Sequence, residues 1–196
     1  MARPRQVSDA EILDAARTCF LEQGPGVSTT VIAKRLGLSQ AALFKRFKTK
    51  KDLLIAALLP MEMPPFIARL EKGPTPDPIE DQLREIALEI SEFFREIVPC
   101  VSTLHASGLD KDDLFGHYEI PPPIRTQMAM VSFFTEAVEQ GRIRKVPPIE
   151  TATSFLGTLH VRAFMRHVGS PFIADDPTEY VANVVDLFVH GIEEER

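Results

Sequence analysis

Seven lysine and arginine side chains cluster near the start of the chain, where they could bind a polyanion. They are Lys34, Arg35, Lys45, Arg46, Lys48, Lys50 and Lys51. Residues 1–51 contain ten Lys or Arg against four Asp or Glu, whereas residues 52–196 contain twelve against twenty-four. A basic segment attracts a polyanion while an acidic remainder repels it. This asymmetry favours a nucleic acid as the partner of residues 1–51 over a chance fluctuation of surface charge.

The other residue types that carry chemistry form no recognisable catalytic or metal-binding pattern. The chain has only two cysteines, Cys19 and Cys100, which are too few for a disulfide framework or a cysteine-based zinc site. Residues 24–26 lack the pattern of a phosphate-binding loop, and no histidine follows a Glu by three positions as in a di-iron bundle. Ser102 and His105 have no third member for nucleophilic catalysis. We therefore expect a protein that is not an enzyme and that carries no metal or cofactor.

The composition fits a soluble globular protein, either one domain or a small module fused to a larger one. Apolar residues make up 44% of the 196 residues and charged residues 26%. The longest apolar run, Leu53–Leu59, is far shorter than the ~20 residues that span a membrane. The basic start Met-Ala-Arg-Pro-Arg is not followed by the apolar core of a secretory signal. We expect a cytoplasmic protein without a membrane partner.

Helical periodicity recurs along the chain and strand-like alternation does not, which predicts an all-α fold. Ser8 and Glu11 fit a capping box at the start of the first helix. The proline-rich residues 60–78 favour a linker or an irregular crossing, and Pro99 is expected to end the long helix that begins near Ile79. The predicted helices cover approximately residues 9–23, 29–36, 40–47, 50–59, 79–98, 121–141, 148–167 and 176–194.

Residues 29–47 show the spacing of a helix-turn-helix. Two helices that cross steeply need a small residue at their contact and a residue tolerant of positive φ at the bend, and Ala33 and Gly37 meet these needs. Ser39 is suited to cap the next helix, and the apolar anchors are Ile32, Leu36, Leu38 and Leu43. The second helix of such a pair can enter the major groove of DNA, whereas an ordinary helical hairpin serves packing alone. The adjacent cations favour the DNA-binding interpretation.

With these residues, positions 8–59 resemble the DNA-binding domain of the tetracycline-repressor (TetR) family of bacterial transcription regulators. The resemblance rests on Thr29-Thr30, Ile32-Ala33, Gly37-Leu38-Ser39, Ala42-Leu43-Phe44, Phe47 and Lys50 followed by Asp52-Leu53-Leu54. It implies an N-terminal three-helix helix-turn-helix DNA-binding domain over residues 1–51. It also implies a C-terminal helical domain for ligand binding and dimerisation over residues 52–196.

The resemblance implies roles for individual residues on double-stranded DNA. Thr29 and Thr30 would lie near a phosphate, Lys50 would hold another phosphate, and Thr49 would cap the fourth helix. The residues facing the groove would be Gln40, Ala41 and Lys45, with Gln40 suited to a bidentate contact with adenine. Phe44 stands where the family usually has Tyr, so an apolar or base-methyl contact is expected there. The predicted DNA-binding residues are Thr29, Thr30, Ser39, Gln40, Ala41, Phe44, Lys45, Lys48 and Lys50.

The same resemblance implies that the helical body binds a small effector and shifts the population of DNA-binding states. Thirteen Phe and six Met suit an adaptable apolar pocket, although such residues also build an ordinary helical core. The predicted apolar contacts are Phe93, Phe94, Ile97, Met128, Phe134, Leu159 and Phe164, and the predicted polar partners are His105, Arg125 and His160.

The last two predicted helices are apolar over a wide arc and are expected to bury more than one side. We expect them to form a four-helix interface in a twofold-symmetric homodimer, the alternative being that they complete the core of one chain. The predicted interface residues are Ala152, Phe155, Leu156, Ala163, Tyr180, Val181, Val184, Val185 and Phe188, together with Leu159.

The sequence thus predicts a homodimeric transcription regulator, specifically a repressor that binds a palindromic operator and is released by a small apolar effector. Two other functions are compatible with the same residues. One is a sequence-indifferent architectural DNA-binding protein. The other is a helical ligand- or protein-binding module in which the helix-turn-helix serves packing only.

Overall fold

The computed structural model of the chain describes residues 7–60 and 62–191, and every regular element in these residues is a helix. The all-α prediction is therefore confirmed. The helices are α1 Asp9–Gln23, α2 Thr29–Arg35, α3 Gln40–Arg46, α4 Lys50–Leu58, α5 Pro65–Leu70, α6 Ile79–Ala106, α7 Lys111–Phe115, α8 Pro122–Glu139, α9 Pro148–His167 and α10 Thr178–His190.

The first helix, α1, begins with the predicted capping box. The Glu11 N–H donates to Ser8 Oγ at 3.2 Å, and the Ser8 N–H donates to Glu11 Oε2 at 2.8 Å. Each bond satisfies a backbone donor that has no partner within the helix. On one face of α1, Ile12, Ala16 and Phe20 follow one another at four-residue spacing, and all three are fully buried.

The long helix α6 differs from the prediction because it passes through Pro99 and ends at Ala106. A proline inside a helix removes one backbone hydrogen bond and crowds the preceding turn, at a cost of ~3 kcal/mol. Residues next to it are deeply buried, with Val98 5% exposed and Cys100 and Leu104 0% exposed. Burying a Val or Leu side chain contributes about 1.5–3 kcal/mol. The apolar burial beyond Pro99 offsets the proline, so the helix continues.

Two short helices, α5 and α7, are missing from the sequence-based prediction. The proline-rich stretch places Pro65 at the first position of α5, where a missing N–H costs nothing. The α7 helix is capped by Asp110, whose Oδ1 accepts from the Asp113 N–H at 2.8 Å. At the C-terminus, α10 ends at His190 before Gly191, which has φ 82°. The predicted continuation to residue 194 falls outside the described residues from position 192 onward.

Contacts among Cα atoms divide the chain into two compact units, each built from two segments. Unit 1 contains the chain up to Glu62 together with Pro99–His117, and unit 2 contains Met63–Val98 and the chain from Tyr118 onward. The domain boundary that the sequence predicts between residues 51 and 52 falls inside α4. This helix packs against α1 within unit 1. The α6 helix contributes its first part to unit 2 and its last part to unit 1.

The core of unit 1 holds α1–α4 together and contains both thiols of the chain. Its largest fully buried side chains include Phe20, Ile32 and Leu43. Cys19 and Cys100 form no disulfide, and both are 0% exposed. Within unit 1, α1 packs against α4 and α2, and α2 packs against α3.

The core of unit 2 is built around phenylalanine rings that meet edge to face. The Phe134 and Phe155 ring centroids lie 6.0 Å apart, and those of Phe155 and Phe188 lie 5.1 Å apart. Such pairs contribute about 0.5–1.5 kcal/mol beyond their burial. They join α8, α9 and α10 in one apolar cluster together with residues of α5 and α6.

Candidate nucleic-acid interface

The bend between α2 and α3 adopts the geometry that its sequence predicts. Gly37 has φ 68°, in the left-handed region that glycine adopts without strain. The Leu38 N–H donates to the Ala33 carbonyl at 2.9 Å and the Gly37 N–H to the Lys34 carbonyl at 3.1 Å. This pair of bonds is the Schellman motif, which satisfies the last carbonyls of α2 and turns the chain sharply. The predicted positive φ at Gly37 is confirmed.

The α3 helix presents one face to the core and the other to solvent. Leu43 is 0% exposed, whereas Gln40, Ala41 and Lys45 are exposed. Ser39 caps the helix, since its Oγ accepts from the Ala42 N–H at 3.1 Å. Phe44 lies on the exposed side and is partly buried. The structure therefore brings the predicted groove-facing residues together on one side of α3.

The first residue of α2 is placed differently from the prediction. Thr29 was expected near a phosphate, but it is only 5% exposed, and its Oγ1 accepts from Gln40 Nε2 at 2.8 Å. The N-cap of α2 is Ser28, whose side chain accepts from the Thr30 N–H at 3.2 Å. Thr30 is exposed, so it remains a candidate for phosphate contact. Thr29 is buried because it packs beneath the start of α3.

Three of the seven clustered cations are engaged within unit 1. Arg35 pairs with Glu22 at 3.2 Å, and its hydrogen bonds to the Cys19 thiol and to Glu22 raise the pKa of the guanidinium. Arg46 pairs with Asp9 and also donates to the Val7 carbonyl. Lys51 pairs with Asp113.

The other four cations are the lysines at positions 34, 45, 48 and 50. Among the described residues, none of these four forms an ion pair. Lys34, Lys45 and Lys48 are exposed, and Lys50 is partly exposed. They are therefore the side chains that can neutralise phosphates without breaking an internal pair.

The start of α4 also agrees with the prediction. The Asp52 N–H donates to Thr49 Oγ1 at 3.0 Å, and the Thr49 N–H donates to Asp52 Oδ2 at 3.0 Å. Thr49 is thus the N-cap, and Lys50 is the first helical residue after it. The cap holds the Lys50 backbone at a fixed position in unit 1.

The predicted effector residues differ in burial and belong to both units. Phe134 and Leu159 are core residues at 2% and 1% exposure, whereas Met128 and Phe164 are exposed by 55% and 45%. Phe93, Phe94 and Ile97 are partly buried, and the Phe94 ring meets the His160 ring edge to face at 5.4 Å. Arg125 forms a bidentate pair with Glu71, and His105 lies in unit 1 rather than in unit 2.

One cavity of unit 2, of about 320 Å³, lies where α5 leads into α6. It is lined by Arg69, Lys72, Gly73, Thr75, Asp77, Pro78, Asp81, Gln82, Glu85, Ile86 and Phe133. None of the predicted effector residues lines it. Arg69 in its wall is neutralised by Glu85 and by Glu89, the latter at 2.8 Å. Seven of the eleven lining residues are polar or charged.

A buried arginine in unit 2 was missed by the sequence analysis. Arg162 is 3% exposed, and its Nη2 donates to the carbonyl oxygens of Ala174 at 2.7 Å and Asp175 at 3.3 Å. Its guanidinium carbon lies 5.4 Å from the centre of the Tyr180 ring, and burial lowers its pKa. The arginine fastens the α9–α10 connection. The helical period of α9 places position 162 beside Leu159 and Ala163 on the inward face. This periodicity is the sequence signal that could have predicted the burial of Arg162.

The predicted dimer residues lie inside unit 2. Ala152, Phe155, Val181 and Val185 are 0% exposed, and the Tyr180 hydroxyl donates to the Thr158 carbonyl at 3.1 Å. Ala163 and Val184 are exposed by 5% and 7%, and Leu156, Tyr180 and Phe188 are partly buried. Side chains without exposed surface cannot contact a second chain, so the prediction is corrected for the buried members. The exposed apolar side chains of α9 and α10 include Ile149 at the start of α9, then Val161, Phe164, Met165 and Leu187, followed by Val168 just after α9.

Among the residues that the structure describes, no helix is long and apolar enough to cross a lipid bilayer. Residues 7–60 and 62–191 contain no group of three or more His, Cys, Asp or Glu side chains placed to hold a metal ion.

Comparison with protein-family models matched residues 12–57 to the family described as bacterial regulatory proteins, tetR family. This range covers α1 to α4 almost completely. Comparison of the sequence with curated proteins gave no significant match.

Solved structures extend the similarity over most of the chain. The TetR-family regulator PfmR from Thermus thermophilus is 25% identical with a TM-score of 0.72, over 93% of this chain and 99% of that chain. FadR from Bacillus subtilis, solved with stearoyl-CoA, is 17% identical with a TM-score of 0.68, over 95% and 100% of the two chains. AibR, solved with isovaleryl coenzyme A and operator DNA, is 21% identical with a TM-score of 0.61, over 92% and 97%. The last two similarities concern the fold alone.

Proposed function

We propose that this chain, a TetR-family transcription regulator, is a repressor that binds a palindromic operator as a homodimer and leaves it when a small apolar effector binds. The DNA-binding part of the proposal rests on the geometry of unit 1. The exposed apolar residues of unit 2 support the homodimer, and its phenylalanine-rich interior supports the effector. The proposal places the protein in the cytoplasm with the DNA and assigns it no catalytic step.

The exposed face of α3 is the single observation that carries DNA binding. Gln40, Ala41 and Lys45 share this face, while Leu43 fixes the opposite face in the core of unit 1. A helix held in this way can enter the ~12 Å wide major groove with its N-terminal residues at the base edges. The four lysines without internal ion pairs supply the attraction to phosphates. Base contacts then select the sequence, and phosphate contacts fix the register.

The exposed apolar residues of α9 and α10 support a homodimer. Val161, Phe164, Met165 and Val168 recur at spacings of three and four residues and are exposed by 55%, 45%, 38% and 57%. Leu187 on α10 is exposed by 44%. A twofold axis through this surface would form a four-helix contact from two helices of each chain. The two α3 helices would then contact half-sites about 34 Å apart, one turn of DNA.

An effector bound to unit 2 would release the DNA only if it binds more tightly to the DNA-incompetent state. A difference of ~1.4 kcal/mol in its affinity for the two states changes operator affinity tenfold. The phenylalanine-rich interior of unit 2 suits an acyl chain. FadR and AibR were solved with acyl thioesters of coenzyme A. This class of compound is therefore the first to test as an effector of the present chain.

Site selection from random double-stranded DNA with the full chain tests the proposed DNA binding. The selected palindrome should bind roughly 10³-fold or more tightly than a scrambled duplex at physiological salt. Equal affinity for both duplexes would indicate an architectural protein. If the chain did not bind DNA even at low salt, the result would indicate a ligand- or protein-binding module instead.

The proposed dimer surface is tested with two matched variants. Phe164→Glu should convert the protein to a monomer in light scattering and weaken operator binding, because it places a charge in the proposed contact. Ile124→Glu changes a similarly exposed residue of α8, 52% exposed, and should leave the dimer intact. A dimer that withstands Phe164→Glu would contradict this surface.

Acyl thioesters of coenzyme A with short and long chains test the effector. Titrated against the protein–operator complex, at least one of them should lower the operator affinity tenfold or more. If free coenzyme A were as effective as every acyl thioester, the apolar interior of unit 2 would not be the binding site.

A further inference from the structure

A single hydrogen bond joins the first residues of the two helices of the helix-turn-helix. Gln40 Nε2 donates to Thr29 Oγ1 over 2.8 Å. Thr29 opens α2 and is 5% exposed, whereas Gln40 opens α3 and is exposed. A buried hydroxyl thus binds the end of a side chain that projects from the surface proposed to contact DNA.

The Thr29 hydroxyl has no capping function that would explain its position. Ser28 is the N-cap of α2 and accepts from the Thr30 N–H. The cap of α3 is Ser39, which accepts from the Ala42 N–H. Both helix starts are therefore satisfied without Thr29. The Thr29 hydroxyl instead accepts the hydrogen bond from Gln40.

The chemistry of the amide shows what the bond leaves free. A glutamine amide has two N–H donors and an oxygen with two lone pairs. Thr29 takes one N–H, so the other N–H and Oε1 of Gln40 remain. Adenine presents an acceptor, N7, and a donor, N6–H, at its major-groove edge. One donor and one acceptor are what a bidentate contact to adenine requires.

Guanine presents a different edge, with two acceptors at N7 and O6. An unrestrained glutamine can turn its NH₂ group toward both acceptors. With one N–H committed to Thr29, Gln40 can give guanine only one hydrogen bond, and its Oε1 then faces O6 without a proton between them. An unpaired polar atom in a tight interface is unfavourable. The bond therefore favours adenine and disfavours guanine.

We propose that Thr29 is a positioning residue that holds the Gln40 amide as one donor and one acceptor and thereby selects adenine over guanine in each half-site. The inference rests on the proposed DNA binding and deepens it. The bond also fixes the Gln40 side chain before DNA arrives, so that fewer rotamers are lost on binding.

The test compares Thr29→Val, which keeps the shape and removes the hydroxyl, with Thr29→Ser, which keeps the hydroxyl. Both are measured in the full chain, with circular dichroism and thermal unfolding as controls of folding. The base position contacted by Gln40 is located first, as the position where Gln40→Ala loses discrimination on the selected palindrome. Affinities are then measured for palindromes with adenine or guanine at that position.

We expect Thr29→Val to reduce the preference for adenine over guanine by about threefold or more per half-site, while Thr29→Ser retains most of it. In the Gln40→Ala background, Thr29→Val should have no further effect on this ratio. A purely structural role of Thr29 would lower affinity for both duplexes equally and leave the ratio unchanged, which would overturn the inference. An unchanged preference for adenine over guanine in Gln40→Ala would also overturn the inference. The proposed function would still be supported in that case if the wild-type chain bound its palindrome sequence-specifically.

A measurement on the wild-type protein keeps the inference testable if Thr29→Val does not fold. Nuclear magnetic relaxation of the Gln40 side-chain amide reports its mobility in the DNA-free protein. We expect an amide as restrained as one in the core and less mobile than that of Gln23, which is exposed at the end of α1. Equal mobility of the two amides would refute the positioning role.

Discussion

The number of lysines without internal partners predicts the salt dependence of DNA binding. Lys34, Lys45, Lys48 and Lys50 pair with no described residue, so a homodimer brings about eight such cations to the DNA. Each neutralised phosphate contributes about 0.9 to the slope of log affinity against log salt concentration. If all of these lysines contact phosphates, the slope is about −7. Raising the salt from 50 to 200 mM should then weaken binding about 10⁴-fold.

Substituting one lysine removes two contacts from the homodimer. Lys45→Ala should therefore reduce the slope to about −5.4, so that the same change in salt weakens binding only about 10³-fold. Lys145→Ala, which removes an exposed lysine of unit 2, is the matched control and should keep the wild-type slope. Arg35→Ala should change the slope less than Lys45→Ala, because Arg35 is already paired with Glu22.

Fluorescence anisotropy of a labelled palindrome at five or more salt concentrations measures these slopes. Each variant is compared with the wild type on the same duplex, after its folding has been checked. Equal slopes for Lys45→Ala and Lys145→Ala would show that Lys45 makes no phosphate contact. A larger effect of Arg35→Ala than of Lys45→Ala would refute the reasoning that internal ion pairs decide which cations bind DNA.

Three further predictions concern stability and are measured by thermal unfolding of the full chain. Gly37→Ala should cost about 1–2 kcal/mol because of the positive φ, whereas Gly26→Ala, at ordinary φ and with open space around its Cβ position, should cost less. Phe155→Ala should cost about 3–5 kcal/mol by leaving a cavity among the rings of unit 2; a change below 1 kcal/mol would contradict its core position. The hydrogen bond from Arg125 lowers the pKa of Glu71, so this pair stabilises the fold above the unfolded-state pKa, and its contribution is lost as the pH falls. Arg125→Ala should accordingly lower Tm near neutral pH, and this effect should shrink as the pH falls from the ordinary Glu value of about 4.3 through the lowered pKa of Glu71; a decrease in Tm that persists in strong acid would contradict the assignment.

Local signals in the sequence predicted the helix-turn-helix because its geometry depends on neighbouring residues. The Ser8–Glu11 capping box, the positive φ of Gly37 and the cap at Thr49 each involve residues no more than five positions apart. Their conformations follow from steric and hydrogen-bonding rules that act locally. For this reason α1 to α4 begin and end within about two residues of their predicted limits.

Features that depend on distant residues were not predicted. The continuation of α6 through Pro99 depends on burial beyond the proline, and the Lys51–Asp113 pair joins residues 62 positions apart. Apolar periodicity shows that Phe155 and Val181 must be covered, but it does not show whether the same chain or a second chain covers them. The buried position of Thr29 likewise depends on how α3 packs over α2. The predicted effector residues lie on α6, α8 and α9, and the sequence does not show which of them share one site.

The two buried thiols can report transient opening of unit 1. Cys19 and Cys100 are its only cysteines, and both lie in unit 1 without exposed surface. An alkylating reagent can modify them only during moments when this unit opens, so the labelling half-time measures its opening equilibrium. Operator bound only to the closed form would lengthen that half-time by a factor of one plus the ratio of the free operator concentration to Kd. Mass spectrometry of the alkylated protein could thus follow DNA binding without any introduced fluorophore.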